Sequence, residues 1–551
     1  MDAILNEIPL SPALPAANSG KGKSIINVMQ SDGEGYDHRT RGDPFETRNL
    51  TPAPIGFDRE SHDSLRKTVA RRRGKRQSEI MTTGKPGQPR VMSKSRMEQS
   101  VEASGLFVPH GVNPRMAIAF SFRLWAASVF CLLNGIFPSP GMLHTNFALT
   151  AAAADWPRFR GPGGLATSED KGVPTTWSSS QGVLWKAELP GAGTSSPIFV
   201  GSQIFLTIYT GYNVPGQTRG EQKDLERFVL SLNRADGRTL WKTKVPTKLP
   251  EQDTIRDGHG YASATPVSDG QKVFAFFGKS GVVALDLAGK SLWHADVGDN
   301  LNGWGSAASP IVHGNLVIVN ASVESESLVA LDKSTGKEVW RARDIKESWN
   351  TPVLLKTPEG ADELVVAMFG KLLGFDPSKG TRLWSCETRI PWYMVPSVVA
   401  DQGTVYCIGG RGGGGALAVK SGGRGDVDAT HVLWRGKKGS NVSSPVYHNG
   451  YLYWASDSSP IVSCTDAKTG EMIYEERLPR ADQFYPSPVL ADGKLYYLTR
   501  RGQVFVVAAS PKFELLATNT LDDRATFNAC PVVADSRVFL RSDRFLYCMG
   551  K

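Results

Sequence analysis

The sequence predicts an all-β fold, an eight-bladed β-propeller made of four-stranded antiparallel blades. One unit of roughly 43 residues recurs eight times over roughly 400 consecutive residues. Each unit contains short apolar runs separated by Asx-Gly and Thr-Gly turns, a pattern that is typical of short antiparallel strands. The last unit lacks one strand and a matching strand precedes the first unit, so we expect the ring of blades to close on itself.

Each unit starts at an anchor in which one residue, in most units a small one, precedes a proline and a short apolar strand. Successive anchor prolines lie 69, 44, 42, 44, 49, 43 and 43 residues apart, and the longest spacing contains an insertion around residues 209–226. The anchors are Ser196-Pro197, Thr265-Pro266, Ser309-Pro310, Thr351-Pro352, Val395-Pro396, Ser444-Pro445, Ser487-Pro488 and Cys530-Pro531.

The unit that begins at Ser309-Pro310 shows the order of the remaining elements. Its first turn is His313-Gly314, its third strand ends in Leu331-Asp332, a turn follows at Thr335-Gly336, and its fourth strand carries Val339-Trp340. A single sheet of this kind leaves both faces in water, whereas radial stacking of sheets buries both faces. The tryptophan of the fourth strand is expected to fill the gap between blades, which is worth on the order of 2–4 kcal/mol.

The two ends of the repeat region predict how the ring closes. The last unit, Thr526 to Met549, provides three strands, and residues 182–187 form a fourth strand ahead of the first unit. Pairing this N-terminal strand with the last blade removes two open sheet edges at once.

The segment from Leu331 to Trp340 resembles the pyrroloquinoline-quinone-type (PQQ-type) propeller repeat, and the resemblance covers residues 156–551. The stretch from Asp155 to Pro162 is similar to the opening of secreted members of this quinoprotein alcohol dehydrogenase-like superfamily. Two branches share the repeat. One comprises quinone-dependent alcohol dehydrogenases, and the other is the barrel-assembly lipoprotein of the bacterial outer membrane, which binds no quinone and scaffolds protein partners.

The residues favour a binding scaffold without a cofactor over an enzyme. The resemblance to the dehydrogenases implies adjacent half-cystines, Ca²⁺ ligands and an Asp base, but this chain has no Cys-Cys dipeptide. Asp257 and Asp482 lie in suitable loops without a motif that joins them, and no lipobox supports the lipoprotein branch in detail. We therefore expect an exported propeller that binds a protein, peptide or carbohydrate through its funnel face. The alternative is a PQQ- and calcium-dependent alcohol or sugar dehydrogenase.

The candidate ligand-binding residues lie in the loops that lead into the innermost strands, which surround the central funnel of a propeller. Aromatic rings beside amides suit peptides, sugar rings or planar cofactors, although the same rings would also serve to plug the funnel or pack between blades. Asp257, Arg389 and Asp482 in these loops would add charge specificity. The candidates are His259, Tyr261, Trp304, Trp349, Asn350, Trp392, Tyr393, Asn441, Tyr485 and Asn528.

The glycine run from Gly409 to Gly415 is a weak motif. It follows a strand but opens no helix and lacks the Gly-Lys-Ser/Thr ending of a phosphate-binding loop. We therefore expect a flexible hairpin loop there.

The first 154 residues are predicted to lie outside the propeller. Residues 1–115 are basic and lack apolar periodicity, which fits a disordered tail, an arm for nucleic acid or a membrane surface, or a segment upstream of the true translation start. Residues 116–154 contain the apolar run from Leu124 to Phe137 and an Ala-rich cleavage site before Asp155, which indicates a signal peptide or an uncleaved membrane anchor. The protein is then exported, to the periplasm or outside the cell, with membrane contact only through this segment.

Charge and cysteine usage set further limits. The net charge is +9, but residues 1–100 carry 17 basic and 12 acidic side chains, so the propeller region is nearly neutral and no nucleic-acid partner is expected. We expect a monomer. Five of the six cysteines are scattered through the repeats, which predicts small buried strand residues, and the sequence cannot pair them.

Overall fold

Eight antiparallel sheets succeed one another along the chain in a computed structural model, which describes residues 155–411 and 414–551, apart from the side chain of Asp257. Each of the first seven sheets contains the four strands of one repeat, the eighth combines three strands of the last repeat with one from the N-terminal side, and the first strand of each repeat is the innermost. This arrangement confirms the predicted eight-bladed, all-β propeller.

The first four blades have the following strand bounds. Blade 1 contains Ile198–Val200, Gln203–Thr210, Glu226–Asn233 and Thr239–Val245. Blade 2 contains Val267–Ser268, Lys272–Phe276, Val282–Asp286 and Ser291–Ala295. Blade 3 contains Ile311–His313, Leu316–Ala321, Ser327–Asp332 and Glu338–Arg343. Blade 4 contains Val353–Lys356, Asp362–Met368, Lys371–Phe375 and Arg382–Glu387.

The remaining blades follow the same plan. Blade 5 contains Val399–Asp401, Thr404–Gly409, Gly415–Lys420 and Val432–Gly436. Blade 6 contains Val446–His448, Tyr451–Ala455, Ile461–Asp466 and Met472–Arg477. Blade 7 contains Val489–Ala491, Lys494–Leu498, Gln503–Ala508 and Leu515–Thr520. Blade 8 contains Val532–Ala534, Arg537–Arg541, Phe545–Met549 and, from the N-terminal side, Val183–Glu188.

A few short elements lie outside this plan. Two-residue strands at Thr167–Ser168 and Gly425–Asp426 pair in parallel with blades 7 and 4, respectively. The described helices are short: 3₁₀ turns at Pro162–Gly164, Gln222–Asp224, Arg256–Gly258 and Gly278–Ser280, and one α-helical turn at Ser322–Ser325. The glycine run connects two strands of blade 5, which confirms the predicted hairpin loop.

The ring closes as predicted, through strands from opposite ends of the propeller region. Val183–Glu188 pairs antiparallel with Phe545–Met549, and Trp185 lies opposite Cys548. The N-terminal strand thus supplies the outer strand that the last repeat lacks.

A closed ring of eight hydrogen bonds joins the blades around the central axis. In each blade the residue two positions before the inner strand donates its backbone N–H to the side chain of the equivalent residue in the next blade. Seven of these bonds measure 2.8 to 3.0 Å, and the eighth, from Ser487 N–H to the Cys530 thiol, measures 3.3 Å. The ring residues are Ser196, Thr265, Ser309, Thr351, Ser397, Ser444, Ser487 and Cys530.

The hydrogen-bond ring corrects one anchor and explains the others. In blade 5 the ring position is Ser397, not Val395, because Ser397 has the hydroxyl that accepts the Thr351 N–H. Ser397 also donates its own N–H to Ser444. The small residue of each repeat unit therefore has a structural role, because its side chain accepts a hydrogen bond near the propeller axis. The last bond of the ring, from Cys530 N–H to Ser196 Oγ at 3.0 Å, joins blade 8 to blade 1.

A second contact between blades joins the two most visible motifs of the repeat. The fourth-strand tryptophan of one blade packs on the turn glycine of the next, so that a Cβ added to Gly289 would lie 2.6 Å from the ring of Trp241. The Trp241 Nε1–H also donates to the carbonyl of Leu287 at 3.0 Å. The equivalent pairs are Trp185 with Gly237, Trp293 with Gly336, Trp340 with Gly380 and Trp434 with Gly470.

Blade 4 departs from this pattern. Trp384 packs over Gly374 of its own sheet and donates its Nε1–H to Glu363 Oε1 at 2.8 Å. Gly425–Asp426, from the chain of blade 5, adds a parallel strand along this outer edge. Burial raises the pKa of the Glu363 carboxyl.

Some predictions concern residues that lie outside the described part of the chain. These are the tail at 1–115, the export segment at 116–154 and Cys131. None of the helices in the described part has the length and apolar character needed to cross a membrane. The five cysteines of the propeller are free thiols; four are buried, and Cys530 is partly exposed.

Alanine at Gly289 is expected to destabilise the protein by about 1–3 kcal/mol more than alanine at Gly270, because overpacking against Trp241 adds to the backbone strain. Both glycines have nearly the same φ, +88° and +87°, but a Cβ at Gly270 meets open space. Urea unfolding of Gly289→Ala and Gly270→Ala measures the difference. Equal losses would show that only backbone conformation matters at Gly289.

Removing one ring acceptor should weaken the junction between the first and last blades. Ser196→Ala leaves the Cys530 N–H without its acceptor, so we expect the free energy of unfolding to fall by about 1–3 kcal/mol. Ser334→Ala, on an exposed turn, is the matched control and should change stability by less than about 0.5 kcal/mol. If both variants unfold alike, the ring contributes nothing measurable at this junction.

Candidate functional site: the central funnel

The loops that lead into the inner strands meet at one end of the propeller axis and surround an open cavity of about 280 Å³. We call this cavity the funnel mouth. Six of the ten candidate residues line it: His259, Trp304, Trp349, Tyr393, Asn441 and Tyr485. The sequence-based choice of loops thus brings most of the candidates together, while their role in binding stays a prediction.

Tyr393 lies at the centre of an aromatic cluster in the mouth. Its ring centroid is 6.1 Å from that of Trp304, 5.4 Å from that of Trp349 and 5.1 Å from that of Trp392. The Trp349 Nε1–H donates to the carbonyl of Gly305 at 2.8 Å, which fixes the orientation of that indole. The cluster is therefore a preformed wall and not a set of separate mobile rings.

Polar groups complete the wall. His259 Nε2 and the Tyr485 hydroxyl form a hydrogen bond of 2.8 Å. Asn441 donates its backbone N–H to Asp457 at 3.0 Å, whereas its side-chain Oδ1 is buried and has no partner among the described residues. Both amide atoms of Asn528 are likewise buried and unpaired in the described part.

Four candidates do not line the mouth, and three of them, all except Asn528, pack among other residues of the blades. Tyr261 is buried between blades, where its hydroxyl donates to the carbonyl of Gln252 at 2.8 Å. Asn350 is buried, and its amide bonds to both backbone groups of Ala367. Trp392 packs behind Tyr393, against a core cluster of blades 4 and 5.

Three arginines that the sequence analysis missed lie against aromatic rings in or beside the mouth, and one of them, Arg411, lines the cavity. Arg256 lies over Trp304 at 5.2 Å, Arg411 over Trp392 at 5.8 Å, and Arg500 over Tyr485 at 4.7 Å. Such cation–π contacts hold a guanidinium in place while leaving its edge available.

Topology explains why two of these arginines were missed. Arg411 and Arg500 belong to hairpins between the second and third strands of their blades, which reach the same face as the loops into the inner strands. Asp457, in the corresponding hairpin of blade 6, also lines the mouth. A search of these hairpins for charged residues could have found all three.

Other charged candidates have partners elsewhere or are not described. Arg389 pairs with Asp428 at 3.6 Å, and Asp482 pairs with Arg501 at 3.3 Å. The side chain of Asp257 lies outside the described atoms.

Below the mouth the funnel narrows to a channel of about 100 Å³, lined by all eight residues of the hydrogen-bond ring. His259, Trp349 and Tyr485 line both the mouth and the channel, which makes the two continuous. Asn528 and Phe159 also border the channel.

The segment from Trp156 to Ser168 crosses the channel and closes its far end. Trp156 exchanges both backbone hydrogen bonds with Phe199 in blade 1, and Thr167–Ser168 pairs with the inner strand of blade 7. Between them, Arg158 and Arg160 donate to the carbonyls of Pro352 in blade 4 and Pro445 in blade 6. The motif at Asp155–Pro162 therefore builds a plug beneath the ring.

Burial of the plug arginines lowers the pKa of Arg158 and Arg160 to about 10, so both remain charged at neutral pH. Neither is in an ion pair with the described residues. The floor of the channel is therefore positively charged.

The donor set does not match a quinone-and-calcium site. Among the described residues, no three His, Cys, Asp or Glu side chains come together closely enough to hold a metal ion. The carboxylate of Asp482 is turned to Arg501, and the single thiol of the channel, Cys530, belongs to the hydrogen-bond ring. The mouth offers oxygen ligands from Asp457 and Asn441, whereas most of its remaining wall consists of aromatic rings and a guanidinium group, which do not coordinate Ca²⁺.

Comparison with known proteins points to one family. The family model described as outer membrane protein assembly factor BamB matches residues 159–300 and 226–476, together more than half of the chain. Outer membrane protein assembly factor BamB of Salmonella typhimurium is 22% identical over 317 residues, which cover 55% of this chain and 70% of that protein.

Two solved structures are similar to this chain. Quinohemoprotein alcohol dehydrogenase from Comamonas testosteroni has a TM-score of 0.53 at 11% identity, covering 73% of this chain and 81% of that chain. BamB from Moraxella catarrhalis has a TM-score of 0.48 at 13% identity, covering 67% and 97%. The likeness to the dehydrogenase shows the fold alone. From the extent of the family match, the chain belongs to the BamB family of propellers built from PQQ-type repeats.

Proposed function

We propose that this protein is an exported binding scaffold that holds a segment of a partner protein at the funnel mouth. The observation that carries this proposal is the meeting of a fixed aromatic cluster with the unpaired amide oxygen of Asn441 in the open mouth, which continues into the channel bordered by the unpaired amide of Asn528. Pockets that bind ligands are mostly apolar, with a few polar groups that converge on the bound molecule.

The unpaired amides are the strongest sign of a ligand. A buried polar atom without a partner destabilises a protein by about 1–3 kcal/mol. Asn528 has two such atoms beside the channel, and Asn441 has one in the mouth. A side-chain amide offers one donor face and one acceptor, which matches a peptide group.

Family membership supports a protein partner. The matching proteins are named as assembly factors for outer membrane proteins. A carbohydrate is the other ligand class that aromatic and amide walls suit, and binding assays separate the two. Location in the periplasm and monomeric state belong to the same proposal.

A dehydrogenase remains the alternative function because the fold is shared with a quinohemoprotein alcohol dehydrogenase. The composition of the mouth favours the scaffold. A rise in Tm with added PQQ and Ca²⁺, together with dye-linked oxidation of alcohols or sugars, would contradict the scaffold proposal.

Loss of the aromatic wall should weaken peptide binding without unfolding the propeller. We expect decapeptides selected from a random library on the wild-type protein to bind Trp304→Ala/Tyr393→Ala at least about tenfold more weakly, a loss of about 1.4 kcal/mol. Fluorescence anisotropy measures the affinity, and circular dichroism checks the fold. Trp304→Phe should retain most binding, because it keeps a ring in the wall. If the wild-type protein binds sugars but no peptide of the library, the ligand is a carbohydrate. If the selected peptides bind the double variant as tightly as the wild-type protein, the binding site lies outside the aromatic wall.

Replacing Asn528 should raise the stability of the protein but lower its affinity for peptides. Asn528→Leu removes two unpaired buried amide atoms, so we expect the free energy of unfolding to rise by about 1 kcal/mol and peptide affinity to fall. The control, Asn350→Leu, removes an amide with several hydrogen bonds and should destabilise by at least about 2 kcal/mol. Chemical denaturation compares the two. If both variants lose stability equally, the Asn528 amide has partners in the free protein.

A further inference from the structure

A groove of about 690 Å³ lies beside the funnel mouth, between blades 3 and 4. Its walls include Leu301, Met368 and Phe369. Leu301 is 38% exposed and Phe369 is 47% exposed, although both are large apolar side chains. Exposed apolar groups gathered in one concave surface are typical of binding sites.

The groove and the mouth are parts of one surface. Trp349 lines both cavities. Arg256 lies over Trp304 of the mouth, and its backbone N–H donates to the carbonyl of Gly303 at 2.9 Å, next to Asn302 of the groove wall. An extended chain can therefore pass from one cavity into the other over Trp349.

Positive charge borders the mouth. Arg256 and Arg411 are exposed, and neither forms an ion pair within the described part of the chain. The nearby Arg389 and Arg501, by contrast, do pair with carboxylates. Asp457 lines the mouth as well, and its Oδ1 accepts the backbone N–H of Asn441.

The groove itself is close to neutral. Glu326 and Lys346 face each other at 3.2 Å, and Glu347 lies next to Lys346 in the wall. A segment with an apolar anchor and carboxylates on its mouth side would fit this distribution of charge better than a basic segment, because Arg256 and Arg411 form no ion pair with the described residues.

We infer that the mouth and the groove form one site for an extended acidic segment of a partner protein. Carboxylates of that segment bind Arg256 and Arg411, a peptide group bonds the amide of Asn441, and an apolar side chain inserts beside Leu301 and Phe369. This inference rests on the proposed function and adds the charge and the anchor of the bound segment. It resembles other peptide-binding sites in which basic side chains recognise acidic motifs.

Three fluorescein-labelled decapeptides test the inference with the full-length protein. The first places four glutamates around one phenylalanine, the second replaces the glutamates by lysines, and the third replaces the phenylalanine by glycine. We expect the acidic peptide to bind at least about tenfold more tightly than the basic one, and its affinity to fall as salt rises. Fluorescence anisotropy measures all affinities.

Paired variants separate charge from packing. Arg256→Glu/Arg411→Glu should weaken binding of the acidic peptide at least about tenfold, whereas Arg382→Glu, exposed at the start of an outer strand, should not. Phe369→Ser should weaken binding of the phenylalanine peptide but leave the glycine peptide unchanged. Leu516→Ser, with a similarly exposed side chain of 39% on an outer strand, is its control.

The outcomes distinguish this inference from the proposed function. Any of three results overturns the inference. The acidic and basic peptides bind equally well, the affinity for the acidic peptide is unchanged in Arg256→Glu/Arg411→Glu, or none of the three peptides binds. The scaffold proposal survives such a result if library-selected peptides still lose affinity in Trp304→Ala/Tyr393→Ala. If the library-selected peptides bind Trp304→Ala/Tyr393→Ala as tightly as the wild-type protein, both proposals fail.

Discussion

The hydrogen-bond ring around the axis is the constraint on which the rest of the molecule depends. Each ring residue must offer an acceptor side chain and donate its own N–H to the next blade, so all eight blades are held at one height and spacing. A buried N–H without a partner is unfavourable, so one missing acceptor affects two blades. The link from Cys530 to Ser196 completes the ring at the junction where the chain itself is not continuous.

Farther from the axis the gap between blades widens, and the contacts between blades are made by large side chains instead of by the small hydroxyl side chains of the ring. Tryptophan over glycine fills this space, since only glycine lets the indole lie directly on the turn. Blade 4 shows that this outer contact is replaceable. There Trp384 turns to Glu363 and an added strand covers the edge, while Ser397 keeps the inner ring intact. The axis thus tolerates less variation than the rim.

The same ring positions the funnel. Because each ring residue lies two positions before an inner strand, the loops before the ring residues crowd together at one end of the axis and bring the aromatic cluster around Tyr393 into contact. At the other end the plug supplies Phe159, the buried Arg160 and the partly buried Arg158. Under the proposed function, a funnel that is open at one end and closed at the other would bind a chain segment with little loss of conformational entropy by the protein, because the Trp349 indole is already held by its hydrogen bond to Gly305.

The sequence by itself determined the repeat, the number of blades, the closing strand and the loops that hold most of the candidate site, because turn residues and apolar runs are local signals that recur at a regular spacing. Only the tertiary structure decided that Ser397 and not Val395 is the ring residue, and that Asn350 and Tyr261 point away from the mouth. It also decided that Arg411 and Asp457 join the mouth and that the motif after Asp155 forms a plug. These facts depend on contacts between residues far apart in the chain, such as Arg160 and Pro445, which no local pattern encodes.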